Sequence, residues 1–431
     1  MEQNSIRYNE CLESIQERFR ISGKLNDRRG MATALHEIGA LYHRQGKYKE
    51  AAEFYQRSLM MDKEVLGPNH PTVATDLNDL GLVLQDLGKF DEAKSCIKEA
   101  LKIDESVYGI MHTIVAKDLN DLGLVLQDLG KFDEAKSCIE EALKIDMFAL
   151  GHDHPYVARD LNGLGLIMKS VGDMDGAKNN FERALKVFES ASILDNKLET
   201  EIAKAANNLG LVLRTLSDLE GARMNLERAL SIGENVFGPN HPQVALYVNN
   251  LALVLQDLNE IGEACKLYRR ALEIDKAVYG PDHPNVATDL NNLGLILNTL
   301  GDLGSAKNNL ERALIIGENI FGPNHPQVAI YLNGLGLVLR NFGNLPTAKA
   351  LFERALDIDK RVYGSDNIII ATIQYNLGLV LKDLGDTDGA KEKFGRSLLV
   401  FQKSLGDNHP STIQVRNNLR SLSSFTSTNG S

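Results

Sequence analysis

The sequence predicts an all-α protein in which one pair of helices is repeated along most of the chain. A Leu-Gly-Leu core recurs at intervals of 42 residues, with a single interval of 45. Leucines within each copy are spaced three and four residues apart, which places them on one face of an α-helix. A fixed period of this kind is typical of an α-solenoid, in which each repeat packs against its neighbours.

The first helix of each pair, called helix A here, has its clearest copy from about Pro71 to Leu87. Proline is tolerated at the first helical position because the N–H at that position has no partner within the helix. Gly88 ends the helix, since glycine adopts positive φ at little cost. The leucine face is predicted to be core, whereas a second, polar face carries Asn78 and is predicted to be the working surface.

The second helix, called helix B, is predicted to begin near Asp91 and to continue towards Tyr108. The Asp91 carboxylate can cap free N–H groups at the start of the helix. Ala93 and Ala100 are small where two helices approach closely. A loop reading Gly-Pro-Asn/Asp-His-Pro follows in most copies, in which Gly-Pro stops one helix and His-Pro opens the next.

Nine helix pairs are predicted over residues 31–409. The longer interval places three extra residues in the connection at 190–199. The residue at the centre of the Leu-Gly-Leu core stands at Gly39, Gly81, Gly123, Gly165, Gly210, Ala252, Gly294, Gly336 and Gly378.

The two ends of the chain differ from the repeats. Residues 1–30 predict one helix, which is either an N-terminal cap or the second half of a repeat whose first helix belongs to a longer protein. Residues 410–421 predict a solitary helix that caps the stack, and residues 422–431 are low in core residues and are predicted to be disordered. The unpaired helix at the N-terminal end is consistent with a homodimer through the terminal repeats.

Composition and charge narrow the classes of partner. The formal charge of −11 repels phosphate backbones, so nucleic acid is not an expected partner. The sequence shows neither an apolar run that would span a bilayer nor a signal-peptide pattern, which predicts a cytoplasmic protein with no membrane partner. The four cysteines lack CxxC spacing and are predicted to be reduced and structural.

The repeat resembles the tetratricopeptide repeat in its Leu-Gly pair and in alanines twelve and nineteen residues after the glycine, Ala93 and Ala100 after Gly81. The longer period, the Gly-Pro-Asn/Asp-His-Pro loop and Leu-Asn-Asn-Leu at 290–293 are similar to the repeats of kinesin light chains and their prokaryotic relatives. The resemblance covers about residues 31–421. It implies a tetratricopeptide-type α-solenoid, a right-handed superhelix of antiparallel helix pairs. It also implies a concave groove that binds short acidic peptides with an aromatic or leucine anchor.

One asparagine of helix A recurs at seven equivalent positions. Asparagine is a mediocre helix former, so its repetition calls for a reason. Its amide can serve both the N–H and the C=O groups of an extended peptide. Alternatively, each amide ties to a neighbouring helix, or is simply inherited by duplication. The predicted peptide-binding asparagines are Asn78, Asn120, Asn162, Asn207, Asn249, Asn291 and Asn333.

Basic residues occupy the positions three before and seven after this asparagine in several repeats. Four of them in the fourth and fifth repeats predict a positive patch that would bind the carboxylates of an acidic peptide. Ordinary solvated charge is the alternative, and pairing with Asp160 or Glu201 would weaken the patch. An apolar anchor is expected near Leu246 and Ile330. The predicted peptide-binding cations are Arg159, Lys169, Lys204, Arg214, Arg340 and Lys382.

No catalytic residue, cofactor or metal site is predicted. His152, Asp153 and His154 are adjacent but lack distant ligands, and the stretch from Gly81 to Lys89 lacks the Ser/Thr of a phosphate loop. The sequence therefore predicts a non-enzymatic protein–protein interaction scaffold that binds an extended, acidic peptide segment in its concave groove. The alternative is the regulatory or sensor arm of a multidomain signalling ATPase, because arrays similar to this one form such arms.

Overall fold

A computed structural model describes residues 2–192, 198–363 and 367–428. Within these ranges the chain forms twenty α-helices and no strand, which confirms the predicted all-α class. Successive helices pack in pairs, as the repeat predicts. The helices divide into two compact units, Met1–Leu258 and Asn259–Ser431.

Unit 1, Met1–Leu258, contains the first twelve helices. The even-numbered helices are of type A, and each packs against the odd-numbered helix B that follows it as far as α11. Their bounds are α1 (Glu2–Lys24), α2 (Arg28–Arg44), α3 (Tyr48–Leu66), α4 (Pro71–Asp86), α5 (Phe90–Tyr108), α6 (Thr113–Asp128), α7 (Phe132–Leu150), α8 (Pro155–Ser170), α9 (Met174–Ser192), α10 (Glu199–Thr215), α11 (Leu219–Phe237) and α12 (Pro242–Asp257).

Unit 2, Asn259–Ser431, contains the remaining eight helices with the same alternation. Their bounds are α13 (Ile261–Tyr279), α14 (Pro284–Thr299), α15 (Leu303–Phe321), α16 (Pro326–Asn341), α17 (Leu345–Tyr363), α18 (Ile368–Asp383), α19 (Thr387–Leu405) and α20 (Pro410–Thr428).

Loop histidines begin most of the A helices. The Nδ1 atom of His70 accepts a hydrogen bond from the backbone N–H of Thr72 at 3.2 Å, and Pro71 follows at the first helical position. The same cap recurs in both units, and Asn367 provides it through Oδ1 at the start of α18. The histidine caps stand at His70, His112, His154, His241, His283, His325 and His409.

The glycine of the Leu-Gly-Leu core lets helices A and B of one pair touch. A Cβ atom placed on Gly81 would lie 2.6 Å from Cγ1 of Ile97, and one on Gly123 would lie 2.5 Å from Cγ1 of Ile139. Both distances are far below van der Waals contact, so any larger residue would push the two helices apart.

At six positions along the chain, helix B meets the helix A of the next pair through one of two residue combinations. In the first, two aspartates face each other, as Asp104 and Asp118 do with their side chains 5% and 2% exposed. In the second, a glycine faces a tyrosine. A Cβ on Gly317 would lie 2.7 Å from Cε2 of Tyr331. The aspartate pairs are Asp62–Asp76, Asp104–Asp118, Asp146–Asp160 and Asp275–Asp289, and the glycine–tyrosine pairs are Gly233–Tyr247 and Gly317–Tyr331.

The buried aspartate pairs hold protons that exposed carboxyls would release. Burial raises the pKa of Asp118 to about 8, and Asp104 and Asp121 add to the rise while Lys117 opposes it. Burial likewise raises the pKa of Asp160 to about 7, against the opposing charge of Arg159. A protonated carboxyl can donate to its ionised partner, so each pair shares a proton rather than burying two charges.

The terminal helices extend the predicted elements. α1 packs against α2, and Asp27 caps α2 by accepting from the backbone N–H of Gly30. At the other end α20 continues to Thr428, so the helix runs past residue 421 into the segment for which the sequence predicts disorder. Val415 and Leu422 are buried at a spacing of seven residues, which prolongs one apolar face. Residues 193–197 of the longer connection and 429–431 of the tail lie outside the described residues.

Candidate functional site

The asparagines of α4 and α6 lie between neighbouring A helices. The Asn78 side chain donates from Nδ2 to Oδ2 of Asp121 at 2.9 Å, and Asn120 donates to Oδ1 of Asp160 at 3.0 Å. Both asparagines are 2% exposed. Such burial differs from the exposed position that the sequence predicts, because no space remains beside these amides for a peptide. Their contacts are those of the alternative interpretation, in which each amide ties to a neighbouring helix.

The remaining asparagines form a similar layer of amides in each unit. In unit 1 Asn250 donates to Oδ1 of Asn207 at 2.8 Å, and Asn208 donates to Oδ1 of Asn162 at 3.2 Å. Asn249 of α12 is half-buried. This layer ties one repeat to the next within unit 1.

Unit 2 repeats the arrangement. Asn376 donates to Oδ1 of Asn333 at 2.9 Å, and Asn291 is 5% exposed with its Nδ2 at 3.4 Å from Oδ1 of Asn292. Of the seven predicted asparagines, Asn162, Asn249 and Asn333 are half-buried and the other four are buried. A peptide-binding role therefore stays a prediction. The three half-buried asparagines leave more space for a peptide than the four buried ones.

A second hydrogen-bonded layer runs two helical turns further along the A helices. Gln85 donates to Asp128 at 2.6 Å, and Arg214 donates to Asp257 at 2.5 Å. In unit 2 the equivalent contact joins Arg340 to Asp383 at 2.6 Å. Sequence reasoning missed this layer, although the repeated Gln-Asp at the end of helix A is a visible signal for it.

Ion pairs neutralise most of the predicted positive patch. The Arg159 guanidinium lies 2.8 Å from Asp160 and 3.1 Å from Asp146, and its side chain is only 20% exposed. The Lys204 ammonium lies 3.0 Å from Glu201. These are the pairings expected to weaken the patch. Because a paired cation attracts a further carboxylate less strongly, these two side chains offer little net charge to a partner.

Lys169 is the exception in unit 1. In the part of the chain that the structure describes, no ion pair involves its ammonium, and burial lowers its pKa. The second hydrogen-bonded layer is interrupted at Lys169, because Thr215 at the facing position donates to the backbone carbonyl of Leu211 instead. Lys382 in unit 2 is similar, because its ammonium lies 3.4 Å from the side-chain oxygens of Asn418 and Ser421. Each unit thus holds one inner cation without an ion pair among its described residues.

Two exposed apolar side chains occupy the inner position three residues before the asparagine. Leu246 on α12 of unit 1 and Ile330 on α16 of unit 2 are both 46% exposed. Other A helices carry threonine, lysine or arginine there, for example Thr75 and Lys117. Each unit therefore combines one exposed apolar side chain with one inner cation.

The A helices of unit 1 face one another across an inner space. Burial lowers the pKa of Lys204, but Glu201, Asp86 and Asp121 more than compensate and raise it. Asp86 lies on α4 and Asp121 on α6. The charged form of Lys204 on α10 is therefore favoured by carboxylates that lie two and three repeats away. In its own repeat Asp121 accepts from Lys117 at 3.1 Å. The inner wall of unit 1 thus carries charges of both signs opposite each other.

The described residues form neither a metal-binding cluster nor a membrane-spanning helix. Within 2–192, 198–363 and 367–428, no group of three or more His, Cys, Asp or Glu side chains is placed to hold a metal ion. Across the same ranges, every helix is too short or too polar to cross a membrane.

The chain matches a known family along most of its length. The family model described as tetratricopeptide repeat matches residues 30–106, 115–190, 201–260, 244–316, 290–361 and 369–419. A nucleotide-binding leucine-rich repeat (NLR)-like protein of Hyaloscypha variabilis is 57% identical over 37 residues, which are 9% of this chain and 4% of that protein. The match therefore spans only a small part of that relative.

Solved structures resemble the chain at low sequence identity. BtubC (BKLC) from P. vanneervenii is 20% identical with a TM-score of 0.45, covering 55% of this chain and 94% of that one. A putative kinesin light chain of Podosopora anserina with nearly identical TPR-like repeats is 18% identical with a TM-score of 0.37, covering 49% of this chain and 98% of that one.

Proposed function

Because the chain belongs to the tetratricopeptide repeat family, we propose that it is a protein-binding scaffold whose inner helix faces hold an extended segment of a partner protein. The observation that carries this proposal is the pairing of an exposed apolar side chain with an inner cation. Unit 1 offers Leu246 and Lys169, and unit 2 offers Ile330 and Lys382. An acidic segment with an apolar anchor fits such a surface.

The polar part of the proposed site uses groups that the repeats leave available. Among the described residues, Asn162 and Asn333 use Oδ1 as an acceptor, and their Nδ2 groups have no hydrogen-bond partner. Such donors fit the carbonyl groups of an extended backbone. The four buried asparagines then set the spacing of the A helices, which positions the exposed groups at regular intervals.

Reversing the charge of Lys169 tests the acidic preference. We expect K169E to weaken binding of a fluorescein-labelled peptide Glu-Glu-Leu-Glu-Glu-Leu-Glu-Glu by about tenfold, since a charge-assisted contact contributes about 1.5 kcal/mol or more. Fluorescence anisotropy at two salt concentrations measures the affinity, and the variant should also show a smaller salt dependence.

K144E is the matched control for this experiment. Lys144 is exposed on helix B of the third repeat, so its reversal changes net charge equally without touching the inner wall. Equal losses in K169E and K144E would mean that only net charge matters and would remove Lys169 from the site. Unchanged binding in K169E would do the same.

The asparagine layer has its own test. We expect N120A to lower the free energy of unfolding by about 1–3 kcal/mol, because the buried carboxylate of Asp160 loses a donor. Binding of the acidic peptide should change by less than about twofold, which corresponds to a few tenths of a kcal/mol. Chemical unfolding and anisotropy on the same samples separate the two effects. A large loss of binding with unchanged stability would instead assign Asn120 to the peptide.

A second candidate is a regulatory or sensor arm of a multidomain signalling ATPase. The short match to a protein named as nucleotide-binding favours this role. It predicts that the genomic sequence upstream of residue 1 encodes a nucleotide-binding domain in the same reading frame. Sequencing the full transcript tests this prediction. A stop codon in the same reading frame directly upstream of residue 1 would exclude the role as an arm of a multidomain ATPase.

A further inference from the structure

Two segments of unit 1 that are 197 residues apart in sequence touch each other. The Nε2 atom of His241 lies 2.7 Å from the backbone oxygen of Arg44. The Nδ1 atom of the same ring accepts from the backbone N–H of Gln243 at 3.0 Å, which caps α12. A neutral ring with its hydrogen on Nε2 satisfies both contacts, so His241 donates to Arg44. Arg44 ends α2, where helix carbonyls lack intrahelical partners.

Close packing beside this hydrogen bond shows that the contact is particular to these repeats. Gly46 has a φ of +71°, and a Cβ atom on it would lie 2.6 Å from Cγ of Pro242. The equivalent Gly88 and Gly130 have φ values of +73° and +72°, but no atom lies within 4 Å of a Cβ there. Pro242 is buried, whereas the equivalent Pro71 is half-buried.

The contact joins the end of one inner helix to the start of another. α2 and α12 are the first and last A helices of unit 1, and the repeats between them bring the start of α12 back to the end of α2. The contact of His43 Nε2 with the Asp86 carboxylate, at 2.8 Å, lies next to Arg44. The end of α2 and the start of α12 are therefore bridged by direct contacts.

We propose that the contact of Arg44 and Gly46 with His241 and Pro242 is a clasp that shields the inner wall of unit 1 until it opens. The biological role of this clasp rests on the proposed function, because the clasp would exclude the partner segment. A segment that binds the inner wall then has to separate α2 from α12 first. The clasp thereby lowers the apparent affinity of any ligand in proportion to the fraction of open molecules and keeps Lys169 from non-specific acidic chains.

The variant H241N opens the clasp without removing the helix cap. Asn367 caps α18 at the equivalent position, so asparagine can replace the capping role of histidine. Its shorter side chain does not reach Arg44. H325N is the matched control in unit 2, because His325 also caps a Pro-Gln helix start and also stacks on a phenylalanine, Phe321, as His241 stacks on Phe237.

The rate at which a thiol on the inner wall is labelled measures the opening of the clasp without any peptide. The full chain carries K204C with its four native cysteines replaced by alanine, and a 5-kDa polyethylene glycol maleimide is the probe. We expect H241N to raise the labelling rate about tenfold and H325N to leave it unchanged. G46A against G88A provides a second comparison, since both place alanine at a similar positive φ but only Gly46 faces Pro242.

Each outcome decides the proposal. Equal labelling rates in the parent, H241N and H325N, or equal increases in the two variants, would overturn it. A parent rate as fast as that of K49C, an exposed reference position, would also overturn it. If H241N alone labels faster but the acidic peptide binds none of the proteins, the clasp is supported and the proposed function fails.

Discussion

G317D is expected to lower the free energy of unfolding of unit 2 by about 3 kcal/mol, because a side chain at this position has no space. The ring of Tyr331 lies where a Cβ atom would be placed, at 2.7 Å. Tyr331 is fully buried, and its hydroxyl is hydrogen-bonded to Gln327 at 3.1 Å. The ring cannot move aside without breaking that hydrogen bond or opening the gap between α15 and α16.

Y331D alone is expected to cost about 3–5 kcal/mol, as large aromatic truncations in cores do. The new carboxyl would face Gly317 across an empty space and would lack a polar partner there. The double variant G317D/Y331D is different, because it recreates the Asp275–Asp289 pair, which stands one repeat earlier in the same unit. We expect it to recover at least about 2 kcal/mol relative to the sum of the single variants.

Hydrogen exchange of the full chain at pH 5 measures this cycle. Peptides from α15 and α16 report local opening directly, which matters because a repeat array need not unfold in one step. G304A, at an open position of α15, controls for the loss of a glycine in that helix. Additive effects of G317D and Y331D would show that the two combinations are not interchangeable.

The fold was predictable because its signals are local. The 3–4 spacing of leucines and the proline before α4 predict a helix from Pro71 to Leu87, and the observed helix is Pro71–Asp86. Each repeat has to bury its apolar face against the next, so the period alone predicts stacking. The exchange of aspartate pairs for glycine–tyrosine pairs was also visible, since both members change together within fourteen residues.

The candidate site was less predictable because it depends on distances between repeats. Spacing places Asn78 on the polar face of α4, but only the position of α6 shows that the amide is used by Asp121. The clasp of Arg44 with His241 depends on the rotation accumulated over five repeats, and a small change in each rotation would separate them. No local sequence pattern determines this accumulated rotation.

D118N is expected to stabilise unit 1 at pH 8 by about 2–4 kcal/mol and to change its stability by less than about 1 kcal/mol at pH 4. Burial raises the pKa of Asp118 to about 8, whereas an aspartate in an unfolded chain titrates near 3.9. The native state therefore binds more protons than the unfolded state between about pH 4 and pH 8. The contribution of Asp118 is fully present below pH 4 and is lost as the pH rises through 8.

Asparagine removes this loss because its amide does not ionise. The Nδ2 group can donate to Asp104 as the protonated Asp118 carboxyl does, so the contact between α5 and α6 remains. Urea unfolding of the parent and D118N from pH 4 to pH 8, followed by hydrogen exchange in α5 and α6, measures the difference. E141Q, an exposed change on α7, should leave the pH profile of the parent intact. A stability difference between D118N and the parent that stays constant over this pH range would mean that Asp118 is ionised in the native state as it is in the unfolded state, and that this pair does not share a proton.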